Sequence, residues 1–397
     1  LAKDKIHPDK NGAKIIAEAT FGAIMEPKVC YPHRRWNIKD NEFWLCAGQS
    51  NMQKGWNEFN ATPQEKERVK GEMARLAKCE IYFWDFNDGK WRQLTPENAL
   101  RKSAFGVSFA IRRAEATGKV IGMLYVAAGG APTESFLSEQ TMCAVGKDGK
   151  PVYPHLAAIA TNRHRLDQNK DFPCKWVARE YPRRRANKEE AYWWPVSKMY
   201  DHGIKYVKES GIKVDGILWY QGESNAHNVE LFATEFPALV SSWRRAWNDE
   251  EMPFHFVQLS SINRPSWPHF RDAQRQLAQQ IEHCEMAVSS DKGDSLDVHP
   301  REKRPIGERL GRIALHHDYG FSHVVSSGPT IESAHTKGKS IVLTFDHAEG
   351  MTSSDGQTLR TFEVAGEHGI YYPADKVIVK GNTIILKSNK VSRPTRA

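Results

Sequence analysis

Between residues 42 and 317 the chain alternates strand-length apolar runs with stretches of helical period, and this alternation constrains its fold more than any other feature. The apolar runs are Phe43–Ala47, Ile81–Phe86, Val120–Ala127, Gly216–Tyr220, Phe254–Leu259 and Met286–Ser289. They are apolar nearly throughout rather than at every second position, which suits strands covered on both faces. Helical spacing of apolar residues falls between them, at Phe105–Ala116, Met199–Val207, Leu231–Trp243 and Ile306–His317. Strand–helix alternation predicts an α/β fold in which a parallel sheet carries helices on both sides. Such folds place their chemistry in loops beyond the carboxyl ends of the strands.

Outside that stretch the character changes. Residues 137–195 are rich in Lys, Arg, Pro and aromatics, include the basic run Tyr181–Arg185, and show no clear period. The run could be a nucleic-acid patch, but nothing near it has the pattern of a nucleic-acid fold, so a solvated insertion loop is the reading, with no nucleic-acid partner. Tyr192, Trp193 and Trp194 could wall a sugar pocket or simply pack the insertion. Beyond residue 326, short alternating runs (Ile341–Phe345, Val377–Val379, Thr383–Leu386) separated by Gly-containing turns read as a small antiparallel β module. The 40% apolar and 26% charged fractions exclude disordered and fibrous classes. No run approaches the roughly 18 apolar residues of a membrane-spanning helix, and residues 1–25 lack the pattern of a signal peptide. The six cysteines (Cys30, Cys46, Cys79, Cys143, Cys174, Cys284) form no CxxC pair, so neither a disulfide scaffold nor a structural zinc site is expected. The net charge of +8 leans weakly toward an anionic substrate.

Three segments concentrate polar groups where strands end. In Trp44–Met52 (WLCAGQSNM) an apolar strand runs straight into Gly48, Gln49, Ser50 and Asn51. A serine at a tight strand-to-helix turn presents its hydroxyl at the sheet's edge, where backbone N–H groups can stabilise an oxyanion. Ser50 could equally be a helix cap. In Gly216–Ala226 (GILWYQGESNA), Gly222 permits the turn and the Asn225 amide could donate to a developing oxyanion, or cap the helix that begins near Asn228. In Gly293–Leu315, His299 stands at the mouth of a helix, with Asp297, Asp294 and Asp291 before it; a general base needs an imidazole oriented by such a carboxylate. Gly106 opens a helix and could supply a second oxyanion N–H, and Gly129-Gly130 follows a strand and could shape a substrate rim.

Together these segments resemble the SGNH hydrolase superfamily and, within it, the sialate O-acetylesterase-like carbohydrate esterases. GQSNM looks like that family's nucleophile block, FGVSFA its glycine block, WYQGESNA its asparagine block and DVHP its terminal His block, while AAGGAPTESF is similar to a GG loop of the family. The resemblance covers roughly residues 36–325 in the right order, and a β tail is the family's usual appendage. It implies a flavodoxin-like three-layer α/β/α fold and a serine carbohydrate O-acetylesterase that needs no metal or organic cofactor. Its substrate would be an O-acetylated sugar or glycan, foremost 9-O-acetylated sialate, with acetylated xylan or pectin as rivals. A carbohydrate-binding protein without catalysis is the rival of another class. The implied triad is Ser50, His299 and Asp297; the implied oxyanion hole is Ser50, Gly106 and Asn225; Gln49, Gly130, Gln221, Glu223 and Arg271 would contact substrate. Many such enzymes hold Asp three residues before His, where this chain has Leu296, so Asp294 or Asp291 could replace Asp297. The resemblance also implies a secreted or periplasmic protein, with no membrane partner and no stated oligomeric state.

The opening segment contains Asp4-Lys5-Ile6-His7-Pro8, which resembles a second terminal His block. The expected division is therefore 1–28 as the remnant of a preceding SGNH domain or a linker helix, 29–325 as the esterase domain, and 326–397 as the β module.

Overall fold

The computed structural model describes residues 41–56, 62–87, 89–162, 196–353 and 355–397. The segment 1–28 with Asp4 and His7, the basic run Tyr181–Arg185 and the aromatics at 192–194 lie outside the described residues.

The centre is a seven-stranded sheet in the order β3-β2-β4-β1-β5-β6-β7. Its strands are β1 Glu42–Gly48, β2 Ile81–Asp85, β3 Lys90–Gln93, β4 Ile121–Ala127, β5 Gly216–Tyr220, β6 Phe254–Val257 and β7 Met286–Ala287. All neighbours pair in parallel except β3, which runs antiparallel to β2 at the edge. Six of the seven correspond to the apolar runs of the sequence. The edge strand β3 (KWRQ) does not, because a strand exposed at a sheet edge needs no apolar run.

Alternate residues of each central strand enter different cores. Leu45, Ala47, Leu124 and Ile217 pack with α4 (Val229–Ala246) and α5 (Trp267–Gln280). Trp44, Cys46, Met123 and Leu218 face the other way, onto α2 (Pro63–Leu76), α3 (Ala104–Thr117) and α6 (Arg304–His317). The sheet is thus the middle of three layers, which is why both faces of its strands are apolar. Local chemistry sets the helix limits. Thr62 and Glu65 form a capping box with Pro63 at the first turn of α2, and Ser103 and Asn228 cap α3 and α4. Helices α2 and α5 escape the sequence reading because they are largely polar, each burying only a narrow stripe. The insertion likewise holds an unforeseen helix, Pro154–Asn162.

At the amino end of β1, Glu42 is fully buried against Arg113 of α3, with Arg113 Nη2 3.0 Å from Glu42 Oε2, and it also bonds Tyr319 and Trp44 Nε1. The carboxyl end of β1 is the opposite, working end. Among the described strands, the order reverses there, with β4 on one side and β5 on the other.

After residue 326 the chain forms separate antiparallel sheets. One has the order β12-β13-β9-β8, from β8 Thr330–Lys337, β9 Ser340–Asp346, β12 Lys376–Lys380 and β13 Thr383–Lys387; β10 Glu363–Ala365 pairs with β11 Tyr371–Pro373. They share a core of Ile341, Leu343, Val364, Ile384 and Leu386. Among the described residues, no helix is long and apolar enough to cross a membrane.

Candidate active site

The site is built on two turns of the same shape. β1 ends on Gly48 with φ +143°, and β5 is followed by Gly222 with φ +144°, backbone conformations that side chains rarely adopt. The turn at Gly48 lifts Ser50 into α1 (Ser50–Gln53) at the sheet's carboxyl edge. The loop after β7 approaches from the other side. Gly293 seats this loop against the Ser261 backbone, where a Cβ would fall 2.3 Å from a carbonyl oxygen.

There the loop delivers His299. Its Nε2 lies 2.9 Å from Ser50 Oγ, and its Nδ1 lies 3.0 Å from Asp297 Oδ1, which also accepts the His299 backbone N–H over 2.9 Å. The other two candidate carboxylates are engaged elsewhere. Asp294 accepts the Leu296 N–H within its own turn, and buried Asp291 takes a bidentate pair of bonds from Arg309. Of the three, Asp297 is the carboxylate within hydrogen-bond distance of the ring. Partial burial works against its charge, but the backbone and ring of His299 outweigh this and hold its carboxyl below the usual range. The imidazole is also held below its ordinary value, by partial burial and by the Lys303 charge against the opposing pull of Asp297. A ring that stays neutral and faces a serine hydroxyl can take its proton.

The supporting residues depart from the sequence reading. Both amide protons of Asn225 are committed, to Glu134 Oε2 at 3.0 Å and Glu235 Oε2 at 2.8 Å, while its carbonyl oxygen accepts from Gln221 and from the Thr133 backbone. Asn225 is thus a buried junction between turns and has no proton left for an oxyanion. The Gly106 N–H is likewise spent, on the cap Ser103 Oγ at 3.1 Å, and Gly106 is needed because a Cβ there would come 2.9 Å from the Tyr125 ring.

Of the residues expected to contact substrate, Gln221, Gln49 and Glu223 are buried. Gln49 Oε1 accepts the Ser224 N–H, Gln221 bonds the Ala131 carbonyl, and Glu223 accepts from Asn51. All three lace turns together, which explains why polar residues crowd these strand ends. Arg271 sits on α5 beside Gln258 at the end of β6, two strands from β1, and burial lowers its pKa to about 10. Gly130 alone of this group is exposed; its carbonyl accepts from Ser224 Oγ, and the adjoining Gly129 faces the Ser50 side chain. Asn51 and Lys303 carry no comparable sequence signal, yet both are fully buried beside the Ser50–His299 pair. Among the described residues, no group of His, Cys, Asp or Glu could hold a metal ion.

The fold is a three-layer α/β arrangement of SGNH-like type, and at the sheet's carboxyl edge it brings a serine within hydrogen-bond distance of a histidine whose ring is held by a carboxylate. The family model for carbohydrate esterase, sialic acid-specific acetylesterase, matches residues 186–316. The chain is 25% identical over 390 residues to the rat sialate O-acetylesterase, spanning 87% of this chain and 69% of that protein. It is 24% identical over 340 residues to the human sialate O-acetylesterase, spanning 77% of this chain and 58% of that protein. A carbohydrate acetylesterase from Xanthomonas citri shares the fold at a TM-score of 0.66 and 23% identity, over 89% of this chain and 74% of that one. These likenesses point to the sialate O-acetylesterase-like carbohydrate esterases as the family the chain resembles, and to a carboxylic ester hydrolase as its enzyme class.

Proposed function

We propose that the protein removes O-acetyl groups from an acidic sugar, foremost the 9-O-acetyl group of sialic acid, through an acetyl-enzyme on Ser50. The observation that carries this reading is the 2.9 Å contact between Ser50 Oγ and His299 Nε2, with Asp297 on the far side of the ring. His299 takes the Ser50 proton as Oγ attacks the acetyl carbonyl, and Asp297 steadies the resulting imidazolium. The ring then protonates the departing sugar hydroxyl, and water activated by the same ring releases acetate.

With Asn225 and Gly106 engaged elsewhere, the oxyanion falls to backbone donors. Ser50 supplies its own N–H at the start of α1, where no turn of helix precedes it to accept the bond. Gly130 supplies the second: it adjoins Gly129, which faces Ser50, and its N–H has no partner among the described residues. Each donor is worth on the order of 3 kcal/mol of barrier.

The preference for an acidic sugar rests on charge. Lys54 and Lys303 act electrostatically on His299 and Arg301 on Asp297, so cations flank the pair from two segments. A sialate carboxylate meets that environment better than neutral acetyl-xylan does. A glycan substrate also goes with an exported location, secreted or periplasmic, and with residues 326–397 as an appended module of the esterase domain 29–325.

Acetate release tests the proposal. Ser50→Ala should abolish hydrolysis of a soluble acetyl ester, and the parent should favour 9-O-acetyl sialic acid over acetyl-xylan. Full activity in the variant sinks the mechanism; equal or greater activity on acetyl-xylan sinks the substrate.

A further inference from the structure

Ser50 and His299 come from opposite ends of the hydrolase fold, and a buried side chain beside the serine ties them together. The Asn51 amide donates to Glu223 Oε1 and, over 2.8 Å, to the carbonyl oxygen of Val298, the residue just before His299. Its own oxygen accepts from Lys303 Nζ, at the mouth of α6. One neutral amide thus joins three segments: the nucleophile's turn, the turn after β5, and the loop that carries the histidine. It also stands between a buried ammonium and a buried carboxylate. Lys303 is fully enclosed, with Nζ 5.1 Å from the centre of the Tyr220 ring. Burying both charges is costly in itself. A fold that spent this site only on stability would do as well with apolar residues, so the arrangement points to the reaction.

We infer that Asn51, Glu223 and Lys303 are positioning residues: the Asn51 amide fixes the His299 segment against the Ser50 turn, and the Lys303 ammonium sets the charge that the imidazole meets. The inference rests on the serine-esterase reading above. The ring feels the charges of Lys303 at the start of α6, Asp297 in its own loop and Lys54 at the end of α1, while Lys303 and Arg264 act on Glu223. Of these, Lys303 and Lys54 oppose protonation of the ring and Asp297 favours it. Through the Val298 carbonyl, Asn51 holds the backbone from which the ring hangs. A misplacement of even 1 Å there would cost about 100-fold in rate.

Steady-state kinetics on a soluble acetyl ester, run across pH on the whole chain, separate this role from a merely structural one. Lys303→Met removes a like charge from beside the ring, so the acid limb of kcat/KM should move upward, by about half a pH unit or more. Lys303→Arg keeps the charge and should return the limb to its parent position. Asn51→Ala should lower kcat by roughly 10- to 100-fold with KM within about twofold. That measurement stands whether or not Lys303→Met folds. An acid limb that stays in place in folded Lys303→Met, or an unchanged kcat in Asn51→Ala, overturns the inference provided Ser50→Ala is inactive. An active Ser50→Ala overturns the esterase mechanism instead.

Discussion

A Cβ on Gly48 would lie 2.2 Å from the carbonyl oxygen of Tyr220, so the strand that leads into Ser50 touches its neighbour backbone to backbone at its last residue. The two residues are register partners in the β1–β5 ladder, and the Gln49 N–H donates to that same Tyr220 carbonyl over 3.1 Å. Gly48 also holds φ +143°. Gly48→Ala combines a backbone clash with a strained dihedral and should cost about 2 kcal/mol or more of stability. Activity should fall further than the folded fraction does, because the turn aims Ser50. Chemical denaturation alongside kinetics checks both parts; a variant of parent stability refutes the close approach.

The pH dependence follows from the His299 environment. The ring must be neutral to act as base, and its pKa is held below the ordinary imidazole value of about 6.5. Its charged form therefore appears only at lower pH. kcat/KM should fall along an acid limb whose midpoint lies below that value. A midpoint at or above pH 7 contradicts the assignment.

Asp297→Asn should lower kcat and move the same limb to still lower pH, since the carboxylate is what pulls the ring's pKa upward. The rate loss should be smaller than the ~10⁴-fold seen when a buried triad carboxylate is replaced, because the Asp297 side chain is 58% exposed. Asp294→Asn, which alters only a turn, should leave the limb in place.

Asn225 separates the two views of the oxyanion hole. Its amide bridges two buried carboxylates, so Asn225→Ala should strip both of a charge-assisted bond and cost roughly 3 kcal/mol of stability. Loss of kcat with an unchanged melting temperature would falsify this structural role and return Asn225 to the transition state.

The cluster at the other end of β1 is a matter of folding. Burial alone would raise the Glu42 carboxyl, but Arg113, Tyr319, Trp44 and Lys119 outweigh it and leave the pKa below its usual range. A depressed carboxylate contributes stability above the unfolded pKa of about 4.3, and loses it as pH falls through the folded value. Arg113→Met leaves the carboxylate buried beside fewer partners and should cost roughly 3–5 kcal/mol at neutral pH. Catalysis by the folded fraction should be unaffected, since Glu42 and Ser50 stand at opposite ends of one strand.

Much of the site was legible because its signals are local. An apolar run followed by a glycine and a serine announces a strand-to-helix turn, and an acid two residues before a histidine can only hydrogen-bond within one short loop. Those signals singled out Ser50 and His299 as candidates, with a helix cap as the rival for Ser50 and with Asp297, Asp294 and Asp291 as alternative acids, and the structure brings Ser50, His299 and Asp297 together; six strands were readable because their two covered faces demand apolar residues throughout. The polar strand ends were read less well. Gln49, Gln221, Glu223 and Asn225 look like active-site residues because they cluster beside Gly48 and Gly222, yet their side chains turn inward to satisfy one another and the turn backbones.

By itself, then, the sequence determined the α/β layering and the loops on which the reacting groups sit, because period and turn chemistry act over a few residues. Which polar side chains face a substrate, and which lace the turns beneath it, was decided only by tertiary structure. Asn51 has its role because Glu223 and Lys303 meet it from 172 and 252 residues away. A hydrogen-bond donor buried between such distant segments takes whatever acceptor the packing brings, and no spacing in the chain encodes that.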